Sequence, residues 1–97
     1  MAICRMIETG ATPDQYEQVR ARVGLGDEVP PGGMLHIAAK GDDGMIRVIE
    51  IWESREQAEE FTKKVMAARE DLGIGTDRPM IQYLEVHRLA QSVGSPA

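Results

Sequence analysis

Residues 30–54, Pro30-Pro31-Gly32-Gly33-Met34-Leu35-His36-Ile37-Ala38-Ala39-Lys40-Gly41-Asp42-Asp43-Gly44-Met45-Ile46-Arg47-Val48-Ile49-Glu50-Ile51-Trp52-Glu53-Ser54, read as a loop, two antiparallel strands and the entry to a helix. Asp42-Asp43 suits a type I turn, and Gly44 suits the left-handed position of the G1 bulge that follows such a turn. If Gly41 faces Met45, then His36 lies opposite Glu50, Ala38 opposite Val48 and Met34 opposite Trp52, all on one face. Leu35, Ile37, Ile49 and Ile51 share the other face. A two-residue turn at Asp42-Asp43 would shift the pairing by one, oppose Glu50 to Leu35 and separate it from His36. Gly44 favours the bulged register.

Working outward, Ala2 to Glu8 alternates as a strand, with Ile3, Arg5 and Ile7 on one face and Cys4 and Met6 on the other. Thr12-Pro13-Asp14-Gln15 combines an N-cap, Pro at the first helical position and a capping-box Gln, so a helix starts there. Tyr16, Val19 and Val23 form its apolar stripe, and Gly24 stops it. Gly24 to Gly33 is rich in Gly and Pro and reads as a loop that could rim a pocket; it lacks the Gly-Lys-Ser/Thr ending of a phosphate loop. Downstream, Ser54-Arg55-Glu56-Gln57 is a second capping box, and Ala58, Phe61, Val65 and Ala68 share one face of the helix that follows. Leu72 to Pro79 connects to a last strand, Met80 to Arg88.

The order strand, helix, strand, strand, helix, strand is that of an α+β ferredoxin-like βαββαβ fold with an antiparallel sheet. Right-handed crossovers set both helices on one sheet face. The opposite face, carrying Leu35, Ile37, Ile49 and Ile51, is too apolar for water, so a homodimer joined sheet to sheet is expected. Residues 1–90 form one domain in this reading, and 91–97 a flexible tail.

With 97 residues, 42% hydrophobic and 28% charged, the chain has room for one small core. A net charge of −5 without a Lys/Arg cluster argues against nucleic acid, and no apolar run is long enough for a membrane span. The single cysteine, Cys4, has no partner for an internal disulfide or for a metal site, and the start lacks a signal-peptide pattern; a cytoplasmic protein is expected.

Glu50-Ile51-Trp52-Glu53-Ser54, followed by Ala58 and Phe61, resembles the dimeric α+β-barrel superfamily, in particular antibiotic biosynthesis monooxygenase-like proteins. Their third strand often ends in an acidic residue, a spacer and Trp before a polar helix cap, which Glu50, Trp52 and Ser54 match. The resemblance implies a homodimer with one pocket per subunit between helices and sheet. It also implies cofactor-free oxygenation of an aromatic or polyketide-like small molecule. A polyketide cyclase or isomerase, or a non-catalytic small-molecule-binding dimer, is the alternative. Phe61 stands where many relatives carry His, and no ligand cluster is present, so no haem, flavin or metal is expected.

Within that frame His36 is the candidate general base and Glu50 the carboxylate that fixes its tautomer. Trp52, Phe61, Tyr83 and Tyr16 are candidate aromatic walls for a flat substrate. Each has a plain alternative: a cross-strand polar pair for His36 and Glu50, core packing for the aromatics. Arg5 and Arg47, on central strands, either anchor an anionic oxygen or pair with Glu8, Glu50 or Glu85.

Overall fold

The computed structural model describes residues 2–75 and 79–91. The six elements follow the expected order: β1 (Ile3–Glu8), α1 (Pro13–Val23), β2 (Gly33–Lys40), β3 (Ile46–Trp52), α2 (Arg55–Asp71) and β4 (Met80–Glu85). The last strand is shorter than expected, and the expected tail, beyond Gln91, lies outside the described residues. The strands form one antiparallel sheet in the order β2-β3-β1-β4, the ferredoxin-like arrangement.

The hairpin takes the bulged register. Gly44 is left-handed at φ +80, Gly44 N–H donates to Gly41 O at 2.9 Å and Gly41 N–H to Met45 O at 2.9 Å. His36 therefore opposes Glu50 and Ala38 opposes Val48. At the far end the expected Met34–Trp52 pair does not form. Gly33 pairs with Trp52 and Leu35 with Ile51, leaving Met34 as an extra residue at a register shift. The cause lies upstream: Gly32, left-handed at φ +86, accepts the Glu53 N–H at 2.9 Å, and Gly33 N–H turns back to Pro30 O at 2.8 Å. The chain thus enters β2 through a turn rather than in strand geometry.

Thr12 and Gln15 close a reciprocal capping box on α1, and Gly24 ends the helix at φ +81. At α2 the box is only half made. Ser54 Oγ accepts from Gln57 N–H at 3.3 Å, but the Gln57 amide oxygen takes the Ser54 hydroxyl at 2.9 Å instead of the backbone.

Both helices lie on the face that carries Arg5, Val48, Glu50 and Trp52. Trp52 and Ala58 are buried there, with the Phe61 ring centroid 5.7 Å from that of Trp52, and Val19, Ala68 and Ile74 pack between the helices. Among the described residues no layer covers the opposite face: Met6, Ile37, Met80 and Leu84 are exposed, around the more buried Ile49 and Ile51. Among the described residues no helix is long and apolar enough to cross a membrane.

Candidate active site

The strand registers set Arg5 on β1, Glu50 on β3 and His36 on β2 in one row across the sheet, on the face beneath the helices. Glu50 is its centre. Its Oε1 accepts from Arg5 Nε at 2.9 Å, Arg5 Nη2 at 2.8 Å and Trp52 Nε1 at 2.9 Å, while Oε2 meets His36 Nδ1 at 3.0 Å. Arg5 Nη1 donates to Ala58 O at 2.9 Å and to the Thr62 hydroxyl, which ties the row to α2. On the other side His36 Nε2 lies 2.5 Å from the Tyr16 hydroxyl of α1, with the two rings 18° from parallel.

Hydrogen-bond chemistry orders the protons along this row. A carboxylate only accepts, so His36 Nδ1 carries a hydrogen toward Glu50, and Nε2 of the neutral ring accepts from Tyr16. Burial pushes the Glu50 carboxyl up, but the His36 hydrogen bond, the Arg5 charge and the Trp52 donor outweigh it and hold the carboxyl below its ordinary 4.5. Burial raises the Tyr16 phenol above its ordinary 10.0; Arg20 opposes the rise while Glu17 and Glu50 add to it. Tyr16 therefore keeps its proton near neutral pH and donates it to Nε2 when the His36 ring is neutral.

The row opens on a cavity of about 80 Å³ between the helices and the sheet. Tyr16, His36 and Glu50 lie in its wall, with Val48, Phe61 and Val65 among the apolar residues around them. The His36 side chain keeps 15% exposure.

Four of the six expected site residues therefore come together: His36, Glu50, Tyr16 and Phe61. Trp52 and Tyr83 do not line the cavity. Trp52 is 1% exposed and packed in the core, where its indole orients Glu50 rather than offering a stacking face. Tyr83 lies under the Arg55 guanidinium, 4.1 Å from ring centroid to charge. Tyr16 lines the cavity as expected, but as a hydroxyl partner of His36 and not only as a wall. Arg5, for which an ion pair and an anion anchor were both open, is the ion-pair partner of Glu50.

Sequence reasoning missed Thr62 and Arg69, both in the cavity wall. The signal was present: Ala58, Thr62, Val65 and Arg69 recur at helical spacing, which sets two polar side chains on the buried side of α2. Among the described residues no group of three or more His, Cys, Asp or Glu side chains is placed to hold a metal.

The chain is a small α+β protein with a hydrogen-bonded row of polar side chains beneath two helices, and solved structures share its architecture. One is a candidate antibiotic biosynthesis monooxygenase from Chloroflexus aurantiacus J-10-fl, 18% identical, with a TM-score of 0.63 over 97% of this chain and 100% of that one. Rv0793 from Mycobacterium tuberculosis is similar at 17% identity and a TM-score of 0.60, over 94% of this chain and 100% of that one. A candidate antibiotic biosynthesis monooxygenase from Deinococcus radiodurans is similar at 13% identity and a TM-score of 0.60, over 97% and 100%. At these identities the likeness establishes the fold of the antibiotic biosynthesis monooxygenase-like proteins. No protein-family profile matches the chain, and no curated protein matches it.

Proposed function

We propose that the chain is a homodimeric, cofactor-free monooxygenase that oxidises an electron-rich aromatic or polyketide-like small molecule. The observation that carries this reading is the hydrogen-bonded row Arg5, Glu50, His36, Tyr16 at the wall of an apolar cavity. The fold shared with proteins described as monooxygenases supports it.

An activated methylene flanked by electron-withdrawing or aromatic groups is the simplest substrate consistent with such a row. His36 Nε2 is the proton acceptor, with the Tyr16 hydroxyl bridging it to the substrate and Glu50 holding Nδ1. Loss of the C–H proton leaves a carbanion stabilised by the substrate's own conjugation, and that carbanion forms a C–O bond with dioxygen. Protonation gives a hydroperoxide. Removal of the second C–H proton breaks the O–O bond and releases water. The methylene and one dioxygen thus become a ketone carbonyl and one water, with four electrons passing from carbon to oxygen. The apolar walls keep bulk water from quenching the carbanion.

The enclosed volume of about 80 Å³ is smaller than the ~150 Å³ that admits benzene. Only the reacting edge of a substrate occupies it, and the remainder lies outside the cavity.

Oxygen uptake and product mass with a panel of quinols and anthrones test the reading. The expected result is one dioxygen consumed per substrate by the native protein, and a loss of roughly 10²–10⁴-fold in turnover for His36→Gln with the fold intact. Product of unchanged mass formed without oxygen uptake would replace it with a cyclase or isomerase. Ligand binding with no turnover would replace it with a binding protein.

A further inference from the structure

We infer that the groove between the Pro30–Pro31 turn and α2 is the outer half of the substrate site. It takes the body of a planar, uncharged polycyclic ligand, and Phe61 is the gate through which the ligand's edge enters the cavity. The inference rests on the reading above for the reacting edge alone, which is placed at His36 and Tyr16.

Size calls for a second space. The cavity, at about 80 Å³, is smaller than the ~150 Å³ that admits benzene, whereas the groove has about 360 Å³. Pro30, Pro31, Gln57, Phe61 and Lys64 line the groove. Among the described residues Phe61 alone borders both spaces. Helix geometry accounts for this: Gln57, Phe61 and Lys64 recur at i, i+4 and i+7 along the groove side of α2, while Phe61, Thr62 and Val65 line the cavity. Phe61 is half-buried, and its ring packs on Trp52. Trp52 is two residues along β3 from Glu50, about 7 Å at ~3.3 Å per strand residue, so the gate stands beside the row.

The groove is braced before any ligand arrives. Gly33 N–H donates to Pro30 O at 2.8 Å and Glu53 N–H to Gly32 O at 2.9 Å, which tie the turn to the start of β2 and the end of β3. The Ser54 hydroxyl donates to the Gln57 amide oxygen at 2.9 Å, and Gln57 lies against Gly32, where an added Cβ would come within 2.5 Å of its Cδ. Walls already held in place lose little freedom on binding. The proline and phenyl surfaces are flat and apolar, which suits a fused ring system. Charge narrows the class further. Glu56 and Glu60 also line the groove, and Glu60 pairs with Lys63 at 2.9 Å, which leaves Glu56 and Lys64 in balance and offers no net charge to an anion.

Calorimetric titration under argon, where no oxygenation can occur, compares anthrone, with three fused rings, against hydroquinone, with one. The native chain should bind anthrone at least ~10-fold more tightly, and Pro31→Asp, which sets a charge on the groove wall at an exposed loop position, should lose that margin. A second measurement needs no variant: anthrone should shift the Gln57 side-chain amide and the His36 ring resonances of the native protein together, and hydroquinone should leave Gln57 unmoved. Equal affinities, an unmoved Gln57, or a margin that survives in folded Pro31→Asp would each overturn the proposal. A shift at Gln57 without one at His36 would remove the gate, and shifts confined to Ile37 and Leu84 would place anthrone on the uncovered sheet face instead. Anthraquinone-2-carboxylate bound as tightly as anthrone would refute the uncharged class. Anthrone held in the groove without oxygen uptake in air would remove the oxygenase reading and leave this site standing; anthrone turnover unchanged in Pro31→Asp would do the reverse.

Discussion

Replacing Arg5 by Met removes one partner of a buried pair and leaves the other in place. The side chains are 2% and 5% exposed, and Arg5 supplies two of the four contacts on the Glu50 carboxylate. Breaking such a pair costs about 3–5 kcal/mol, mostly the penalty of the uncompensated charge. For a domain of this size ~1 kcal/mol moves the melting point by ~4–8 °C, so Arg5→Met should melt roughly 12–40 °C lower. Trp52, the single tryptophan and 1% exposed, reports unfolding by fluorescence in urea at fixed protein concentration. The pH dependence identifies the charge as the cause. In the native chain Glu50 titrates below its ordinary 4.5, so its stabilisation is fully present above pH 4.5 and is lost as pH falls through the lower folded value. Without Arg5 the folded carboxyl rises, protonation relieves the buried charge, and the gap between variant and native protein narrows on acidification. Adding Glu50→Gln to Arg5→Met should recover ~1 kcal/mol or more at pH 7, since the neutral amide needs no counter-ion. A variant within ~1 kcal/mol of native at pH 7, or a gap unchanged between pH 7 and pH 4, would refute the account of Glu50 as a carboxylate held by Arg5.

Two further outcomes are expected. Gly44→Ala should cost ~1–2 kcal/mol in a denaturant melt and Gly44→Val more, because φ is +80 while an added Cβ meets nothing within 4 Å, so the cost is conformational only. Light scattering should give a dimer, and Ile37→Asp, an exposed position on the uncovered sheet face, should give a folded monomer; a native chain that stays monomeric at high micromolar concentration would remove the sheet-to-sheet interface.

The parts of this molecule that were legible in its sequence are those governed by local rules. Gly44 demands a left-handed residue, which sets the hairpin register, and a period of two then carries His36 and Glu50 to the same face without knowledge of the rest of the chain. Thr12 and Gln15 mark the start of α1 by the same kind of local chemistry. Met34 shows where local reading fails: the strand pattern continues through it, but the Pro30–Gly33 turn is tied to Glu53, and that contact spans the hairpin. The site needed still longer-range information. Arg5 joins Glu50 only because β1 inserts between β3 and β4, an order visible from topology but not from any one segment.

The aromatic residues make the same point through their polar atoms. Trp52 lies two residues from Glu50 on one strand face, so its indole N–H can reach the carboxylate of its own strand, and doing so turns the ring into the core and away from the cavity. Tyr16 is 20 residues from His36 and on a different element, so only the packing of α1 over β2 brings its hydroxyl to Nε2. One aromatic thereby fixes the carboxylate end of the row and the other closes the imidazole end, and neither needs to stack on a substrate to matter. A Tyr16→Phe chain separates these roles: the ring and its packing remain, the donor to Nε2 is lost, and turnover should fall while stability changes little. Unchanged turnover in Tyr16→Phe would leave His36 acting on substrate directly and reduce Tyr16 to a wall.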